Sequence, residues 1–389
     1  MSTAMFPEDE AALSDAILDT AGPLQILGGG TRRVGRISEG RKLSTAQLKG
    51  IVLYEPGALT IVAKTGTPIA EIENVLAAEN QMLAFEPMDH RVLLGTQGTP
   101  TLGGVMAANV SGPRRIQVGA ARDFALGISF VDGSGQLLKN GGRVMKNVTG
   151  YDLVKLMVGS WGTLGVLSEV ALKVLPVSET QATLKIHVSS WAQAVACMSA
   201  ALGTPFDVSG AATLQDSDGK LGVIIRVEGF AASIRYRMAE LKIYLTKFGD
   251  IEKISDPWSE VKNLPSWATL DTIWKVSVRP TDSLAVILKI QELQKDFGFK
   301  CQLDWGGGLL WLGLGEEQLG NFPACVQLHN ALQETVAQLG GHATLMKSQI
   351  LQEEQISHFQ PLSRAIEMLT QTLRSKFDPR GILNLGRMS

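Results

Sequence analysis

Apolar and polar positions alternate differently in the two halves of the chain. In the first half, β-rich runs at 50–54, 59–64, 126–131 and 165–175 are separated by glycine-rich loops. Residues 68–80 begin with a proline and carry apolar side chains at helical spacing, which predicts a helix. The pattern therefore predicts an α+β domain whose glycine loops lie at the ends of its elements.

After Pro176 the pattern predicts two successive β-α-β-β-α-β units of the ferredoxin-like type. The first has strands at 182–187, 208–214, 221–227 and 251–254 and helices at 189–202 and 231–248. The second has strands at 273–278, 300–303, 309–314 and 343–345 and helices at 284–297 and 322–339. No sequence identity supports the repeat. We expect a second domain with one antiparallel sheet and helices on one face, followed by a helix at 361–376.

Composition excludes several classes of protein. The 389 residues are 45% hydrophobic and 19% charged, as in an ordinary globular chain, and 36 basic against 38 acidic residues argue against a nucleic-acid or acidic-lipid surface. The three cysteines (Cys197, Cys301 and Cys325) are too far apart for a zinc or iron–sulfur motif, which favours a reducing cytoplasmic setting. The uncharged stretches 92–113 and 186–206 do not resemble membrane spans, and no signal peptide is recognised.

The glycine loops do not match the common nucleotide motifs. Arg33 stands where a dinucleotide fingerprint needs its third glycine, and no P-loop occurs, so a nicotinamide enzyme is not expected. The loop Gly28-Gly29-Gly30-Thr31 follows a strand and is either a tight turn or a nest of backbone N–H groups for an anion. The segment 98–113 is almost devoid of large side chains, which suits a flat polar ligand. Two nests suit a pyrophosphate with an organic group at each end.

These loops resemble the FAD-binding domain of the vanillyl-alcohol oxidase/p-cresol methylhydroxylase (PCMH) superfamily. Within it they are similar to the branch of D-lactate dehydrogenases and the FAD-binding subunits of bacterial glycolate oxidase. The matching segments are Gly28-Gly29-Gly30-Thr31, Glu55-Pro56-Gly57, Thr60 to Gly66, Thr101-Leu102-Gly103-Gly104 to Ser111-Gly112, Val148-Thr149-Gly150-Tyr151-Asp152-Leu153, Gly159 to Val166, and Asp378 to Asn384.

The resemblance implies a two-subdomain PCMH-type FAD-binding domain over 1–177 and a cap domain over 178–355. The tail 356–389 would pack on the FAD domain. It also implies which residues bind FAD: Gly28, Gly29, Gly30 and Thr31 at the pyrophosphate, Thr101, Gly103, Gly104, Asn109, Ser111 and Gly112 along the path to the flavin, and Gly165 and Val166 at an edge of the cofactor. No His or Cys falls in the first loop, so the FAD is expected to be non-covalent. His90 is interpreted as a hydrogen-bonded loop histidine.

The catalytic groups of a 2-hydroxy-acid dehydrogenase are harder to find. Such chemistry needs a cation for the carboxylate, a base for the hydroxyl proton and a hydride acceptor. The D-lactate branch often carries a His-rich metal motif in its second domain. The histidines of this region are scattered, and the comparable stretch reads Asp304-Trp305-Gly306-Gly307-Gly308, interpreted as a turn, so no metal site is expected. In lacking the His-rich motif, the chain resembles the E-type subunits of glycolate oxidase.

Basic residues are the remaining candidates. Arg114 and Arg115 are interpreted either as a carboxylate or phosphate site or as a solvated loop pair. Lys275 and Arg279 are expected to be surface charges. Arg387 stands where the branch often has Lys, and its contact with the flavin is left open. No general base is assigned.

The resemblance favours an FAD-binding subunit of a glycolate oxidase complex. It would oxidise glycolate to glyoxylate and pass electrons to an acceptor other than NAD. The implied partners are a catalytic flavoprotein subunit and an iron–sulfur subunit, with contact to the inner face of the membrane only through them. The alternatives are a self-sufficient FAD-dependent D-2-hydroxy-acid dehydrogenase and a non-catalytic FAD-binding scaffold.

Overall fold

A computed structural model describes residues 4–36, 40–143, 150–216, 219–294, 298–315, 322–349, 351 and 356–388. Val148 and Thr149 of the matching segments lie outside the described residues, as does Phe297 at the end of a predicted helix. The helices up to residue 177 are α1 (Glu10–Leu18), α2 (Ile69–Ala78), α3 (Arg91–Leu94), α4 (Leu102–Ala107), α5 (Arg115–Val118), α6 (Ala121–Phe124) and α7 (Leu153–Met157). The strands are β1 (Leu24–Leu27), β2 (Arg41–Ser44), β3 (Ile51–Glu55), β4 (Thr60–Lys64), β5 (Gln81–Met82), β6 (Ala125–Val131), β7 (Leu137–Gly141), β8 (Val166–Lys173) and β9 (Leu175–Pro176).

The rest of the described chain alternates strands with longer helices. The strands are β10 (Thr180–Val188), β11 (Val208–Gln215), β12 (Leu221–Gly229), β13 (Ile251–Ile254), β14 (Thr272–Ser277), β15 (Lys300–Asp304), β16 (Leu309–Leu314) and β17 (His342–Lys347). The helices are α8 (Trp191–Leu202), α9 (Ala231–Leu245), α10 (Trp258–Asn263), α11 (Ser283–Leu293), α12 (Phe322–Gln338) and α13 (Arg364–Phe377). Short 3₁₀ turns occur at Thr45–Gln47, Pro56–Ala58, Thr246–Phe248, Pro265–Trp267, Pro280–Asp282 and Trp305–Gly307.

These elements pack into two units. The first unit comprises Met1–Gly112, Gly119–Val177 and Leu362–Ser389, and the second comprises Pro113–Val118 and Ser178–Pro361. The chain therefore enters the second unit briefly at 113–118, which the sequence pattern did not predict. The signal was weak because six residues are too few to show a periodicity.

The first unit is built on a five-stranded antiparallel sheet in the order β3-β4-β8-β6-β7. Beside it, β1 and β2 form a parallel pair, with Leu24 opposite Arg41 and Leu27 opposite Ser44. The C-terminal tail joins this pair through a parallel bridge between Leu24 and Leu383. One core cluster buries side chains of α1, β1, β2, β8 and the tail, so the two ends of the chain share a hydrophobic core.

The second unit confirms the predicted repeat and corrects the predicted sheet. Its strands form two separate four-stranded sheets, β11-β12-β10-β13 and β15-β16-β14-β17, where one sheet was expected. Within each β-α-β-β-α-β set the second, third, first and fourth strands lie in that order, which is the ferredoxin-like topology. The backbone N–H of Leu303 in β15 donates to Thr213 Oγ1 in β11, a side-chain contact where one continuous sheet would have a backbone ladder.

Candidate functional site

A cleft of about 720 Å³, part of it open to solvent, lies in the first unit at the C-terminal end of β1. Its walls come from the loop after β1, from α4, from the turn at 160–167 and from the C-terminal tail. Ile26 and Leu27 supply apolar surface, and the glycines supply backbone. A concave site with bare backbone on one wall and aromatic surface on another suits an extended cofactor.

Two glycine loops pack against each other beside this cleft. A Cβ on Gly29 would overlap the carbonyl of Thr99, and one on Gly98 would overlap the carbonyl of Gly29. A Cβ on Gly28 would lie 2.5 Å from Thr101 Oγ1. These glycines are therefore required for backbone-to-backbone packing of the loops themselves.

The first loop offers backbone donors to the cleft. Gly30 has φ +72° and open space where a Cβ would be. The left-handed backbone, and not a close contact, therefore favours glycine at this position. Within the described part of the chain, the N–H groups of Gly28, Gly29 and Gly30 donate to no other protein group. Consecutive unpaired N–H groups around such a bend suit an anion, and the role of this loop at the pyrophosphate stays a prediction.

The second loop leads into α4 and also lines the cleft. Thr101 caps α4, and its Oγ1 accepts from the N–H of Gly104 at 3.4 Å. Gly103 packs so closely on the residue after β4 that a Cβ there would lie 2.7 Å from the Cβ of Thr65. The predicted residues Thr31, Thr101, Gly103 and Gly104 thus share one wall.

Two arginines carry positive charge into the same cleft. Arg387 is 7% exposed, its Nη2 donates to the carbonyl of Arg32 at 3.1 Å, and its Nε has no hydrogen-bond partner in the described structure. Burial lowers the pKa of Arg387 and lowers that of Arg32 to about 10, even though Asp89 raises the latter. A buried guanidinium with an unused N–H is costly unless an anion binds beside it.

The C-terminal tail completes the cleft through Asn384. Its Oδ1 accepts from the N–H of Ile26 at 2.8 Å, and its Nδ2 donates to the carbonyl of Trp161 at 2.8 Å. The Trp161 ring lies 5.7 Å from the guanidinium of Arg387. Gly165 and Val166 of the adjacent segment also line the cleft, and a Cβ on Gly165 would lie 2.7 Å from the Phe130 ring.

Three predicted residues lie elsewhere in the first unit. The Oδ1 of Asn109 accepts from the N–H of Arg122 at 3.0 Å, and the Oγ of Ser111 accepts from the N–H of Ala121 at 2.9 Å. Gly112 packs so that a Cβ would overlap the carbonyl of Glu86. These contacts hold the 109–112 segment in place. None of the three lines the cleft at β1, and their role toward the flavin stays a prediction.

The structure shows the burial and the partners of His90 and of the basic candidates. His90 is buried and its Nδ1 accepts from Arg32 Nε at 3.1 Å, as interpreted from the sequence. Arg114 is not a solvated loop residue, because it is buried and pairs with Glu228 at 2.9 Å in the second unit. Arg279 is an exposed surface charge paired with Asp282, as expected.

Lys275 departs from that expectation. It is half-buried, and its Nζ lies over two indole rings, 5.6 Å from Trp305 and 6.0 Å from Trp311. The alternation of apolar and polar residues in β14 placed Lys275 on the face opposite the buried Trp274. This alternation does not predict that tryptophan side chains cover that face.

The stretch at 304–308 is the turn that was predicted. Trp305, Gly306 and Gly307 have φ of 53°, 68° and 105° in a 3₁₀ turn between β15 and β16. Among the described residues, no group of three His, Cys, Asp or Glu is placed to hold a metal ion. All three cysteines are buried, and burial raises the pKa of the Cys197 thiol to about 12 and that of Cys325 to about 11.

Arg32 and Trp161 are site residues that sequence reasoning missed. Trp161 lies within the matching segment Gly159 to Val166, and Arg32 directly follows the first glycine loop. Their positions in the cleft depend on long-range packing: the N–H of Trp161 donates to the carbonyl of Ala107 at 2.9 Å, and Arg32 reaches the carbonyl of Met88. A basic residue beside a predicted anion nest was the only available signal.

Comparison with known proteins agrees with this geometry. Residues 2–141 match the FAD binding domain family. The glycolate oxidase subunit GlcE of Escherichia coli K12 is 33% identical over the full length of this chain and 97% of its own. The subunit GlcD of Bacillus subtilis is 33% identical, over 32% of this chain and 25% of its own length. D-2-hydroxyglutarate dehydrogenase of Xanthomonas citri is 32% identical over 41% of this chain and 31% of its own.

Solved structures share the fold at low identity. 4-Ethylphenol oxidase from Gulosibacter chungangensis superposes with a TM-score of 0.74 at 12% identity, over 99% of this chain and 88% of its own. Alkyldihydroxyacetonephosphate synthase superposes with a TM-score of 0.72 at 15% identity, over 98% and 76%. Across the described residues, no helix has the length and apolar character needed to span a bilayer. The chain is 33% identical to GlcE over its full length, and its residues 2–141 match an FAD binding domain. The chain therefore belongs to the family of the glycolate oxidase subunit GlcE.

Proposed function

We propose that this chain is the FAD-binding subunit of a glycolate oxidase complex. The cleft at the end of β1 holds the FAD pyrophosphate. The observation that carries the proposal is the convergence of unpaired backbone N–H groups at Gly28 to Gly30 with the buried, partly unsatisfied guanidinium of Arg387. Both features favour a bound dianion, and the match of 2–141 to an FAD binding domain supports the assignment of that anion to FAD.

The residues present fit that cofactor on physical grounds. The nest at Gly28 to Gly30 and the two arginines Arg32 and Arg387 provide donors and positive charge for two phosphates. Trp161 and Ile26 offer flat apolar surface beside them. The chain has no His or Cys in the loop 28–31, and the proposed binding is non-covalent.

Bound FAD supplies a two-electron acceptor for the oxidation of an alcohol to a carbonyl. The residues of this chain bind and orient the cofactor. The loop packing of Gly29 on Thr99 and the Asn384 contacts hold the walls of the cleft through the protein's own contacts. A preformed cleft loses less conformational entropy on binding, which raises affinity.

The proposed reaction is glycolate to glyoxylate within a complex that also contains a catalytic flavoprotein subunit and an iron–sulfur subunit. Support comes from the full-length relative, which is named as one subunit of glycolate oxidase, and from the GlcD relative, which is named as another. The scattered, buried cysteines of this chain do not provide an iron–sulfur ligand set in the described residues. Electrons would therefore leave through a partner.

Reconstitution tests this proposal. The purified chain, its GlcD-like and iron–sulfur partners, and the assembled complex are each assayed for glycolate oxidation with a dye acceptor and with NAD. We expect turnover with the dye only when this chain and its partners are together, and none with NAD. Full turnover by the partners without this chain would contradict the proposal. Full turnover by this chain alone would replace the complex with a self-sufficient dehydrogenase.

A further inference from the structure

Helix α13 (Arg364–Phe377) carries large apolar side chains that its own chain leaves exposed. Ile366, Leu369 and Leu373 follow one another at spacings of three and four residues, so they lie along one side of the helix. They are 50%, 61% and 40% exposed, and no residue of this helix, which the structure describes in full, is buried. Exposed apolar side chains that are grouped in this way mark an interaction surface, whereas single ones are common on any protein. We call these three residues the α13 seam.

The packing of α13 on the first unit leaves the seam uncovered. The helix is attached at its C-terminal end, where the ring of Phe377 lies 6.1 Å from that of Phe130 and the N–H of Gly133 donates to the Phe377 carbonyl at 2.8 Å. A helix of 14 residues is marginally stable in water, and helices in proteins gain most of their stability by packing an apolar face. The seam is instead about half exposed, which indicates that another molecule covers it.

The form of the seam favours a helix as its cover. Its three residues have the spacing of the a and d positions of a heptad, and the neighbouring Thr370 and Thr372 are short. Such a narrow seam is typical of packing between helices. A helix on a lipid surface presents a broader apolar face with exposed aromatic anchors, whereas the one aromatic residue of α13, Phe377, packs against Phe130. These features favour a protein helix over a membrane.

The charges beside the seam favour an acidic partner. Helix α13 carries three cations, Arg364, Arg374 and Lys376, against one carboxylate, Glu367. Lys376 follows Leu373 at the spacing of the seam and so extends it at its C-terminal end. Arg374 is half-buried, burial lowers its pKa, and its Nε has no hydrogen-bond partner within the described residues. A carboxylate on the partner would satisfy this N–H, and a second would pair with Lys376.

A second copy of this chain does not suit the seam. Two α13 helices side by side would bring together two surfaces with the same excess of positive charge, which disfavours their association. The helix is about 21 Å long and about 10 Å wide, so it covers about 200 Å², whereas a stable complex buries about 800 Å² on each partner. The seam is therefore one part of a larger contact with a different, acidic chain.

We propose that the α13 seam docks an amphipathic helix of a partner subunit. The partner helix contributes leucine-like side chains opposite Ile366, Leu369 and Leu373, and carboxylates opposite Arg374 and Lys376. The partner's place in a glycolate oxidase complex rests on the proposed function, whereas the docking surface rests on the exposure, spacing and charge of α13.

The position of α13 along the chain brings this contact near the cofactor cleft. The helix ends at Phe377, and Asn384 in the wall of the cleft is seven residues further on, a span of at most about 25 Å. The docked partner therefore contacts the unit that holds the cleft, on a helix that leads directly into the tail with Asn384 and Arg387.

Assembly from purified subunits tests the seam. The FAD-loaded full chain is titrated with the GlcD-like and iron–sulfur subunits, and the Kd is measured by biolayer interferometry. In I366Q/L369Q, glutamine keeps the helix propensity but removes the apolar surface, so we expect assembly to weaken by about tenfold or more. The Tm of the isolated variant should stay within about 3 °C of wild type, because the seam is exposed in the isolated chain. Unchanged assembly would overturn the proposal, and so would a larger fall in Tm, which would place the seam in the chain's own core.

Charge variants and matched controls locate the contact. L288Q replaces an exposed leucine of α11 and should assemble like wild type. K376E should weaken assembly by about threefold or more and K376R should not, whereas R364E, on the opposite side of α13, should leave the Kd within about twofold. A loss in L288Q or R364E equal to that in I366Q/L369Q would contradict the assignment of the contact to the seam.

Photo-crosslinking identifies the occupant. The three cysteines of the chain are buried, so a benzophenone maleimide added to L369C labels this position selectively. We expect the cross-linked peptide to come from a partner subunit and to contain an apolar heptad with Asp or Glu beside it. Cross-links to a second copy of the chain would overturn the proposal. Binding of wild type but not of I366Q/L369Q to phosphatidylglycerol vesicles, with equal assembly of both, would replace the partner helix with a membrane.

Assembly and turnover together separate this proposal from the proposed function. A complex that oxidises glycolate and assembles as tightly with I366Q/L369Q as with wild type refutes only the docking surface. A complex that assembles through the seam, without oxidation of glycolate by any combination of subunits, refutes only the proposed function.

Discussion

The side chain of Asn384 accepts a hydrogen bond from the backbone N–H of Ile26, 358 positions earlier in the chain, at 2.8 Å. Its other end donates to the carbonyl of Trp161. One buried amide thus joins the first strand, the turn at Trp161 and the C-terminal tail around the FAD cleft. The left-handed backbone of Asn384, with φ of 44°, explains why Asn suits the position.

Replacing Asn384 with Ala should destabilise the first unit. The substitution removes the hydrogen bonds to the N–H of Ile26 and to the carbonyl of Trp161, two half-buried backbone groups, which costs about 1–3 kcal/mol. Urea unfolding of the FAD-free chain measures the effect. Asn80→Ala is the control, because Asn80 has a similar φ of 52° at an exposed position. Equal losses would show that backbone strain alone accounts for the effect.

Arg387→Met should weaken FAD binding by about tenfold to a hundredfold, because a charge-assisted hydrogen bond to phosphate is lost. Quenching of FAD fluorescence on titration with apoprotein gives the Kd. Arg33→Met removes the same charge from an exposed position next to Arg32 and should leave the Kd within about twofold. A Kd for Arg387→Met that matches wild type would remove Arg387 from the FAD site.

Gly29→Ala should abolish FAD binding and lower the Tm. The added Cβ cannot coexist with the Thr99 carbonyl, so the two glycine loops must separate. Gly57→Ala is the matched control, because open space surrounds the position of its Cβ. The FAD-to-protein ratio after purification and a thermal melt are the readouts. Normal FAD loading of Gly29→Ala would contradict the loop packing described above.

Stability should fall between pH 6.5 and pH 4 partly through His329. Its ring is fully buried, with Trp274 Nε1 donating to its Nδ1 at 3.1 Å, and burial lowers its pKa to about 4. Below pH 6.5 the unfolded chain binds a proton that the folded chain excludes, so the folded state loses up to about 3 kcal/mol by pH 4. Above pH 6.5 this contribution is fully present.

The measurement is the free energy of unfolding in urea at pH 7.0 and pH 4.5. The pH-dependent loss should be smaller in His329→Gln than in wild type, because Gln does not titrate. His187→Gln, at an exposed side chain paired with Glu252, controls for the removal of a histidine. An identical pH dependence in wild type and His329→Gln would rule out the contribution of His329.

Local sequence signals predicted the elements and the first glycine loop well, because periodicity and glycine placement are local properties. The element order of both repeats follows the prediction, and the 28–31 loop lies on the wall of the cleft. The glycines had two different uses that composition could not separate. Gly30 serves a left-handed bend beside the cleft, whereas Gly29 and Gly112 allow two backbones to touch.

Long-range packing determined what the sequence could not predict. The contact between Asn384 and Ile26 depends on the tail returning to β1. Arg114 and Arg115 form one dipeptide but separate on folding, one pairing with Glu228 and the other lying over Trp305. Neither partner is near in sequence, so no local pattern indicated the split.

The flavin spectrum tests the central claim most directly. The chain is purified alone and with its GlcD-like and iron–sulfur partners, and its absorbance is recorded anaerobically before and after glycolate. The account predicts that the chain alone carries about one non-covalent FAD, released by acid precipitation, and that glycolate bleaches the flavin absorbance of the complex. A colourless chain that takes up no added FAD would contradict it.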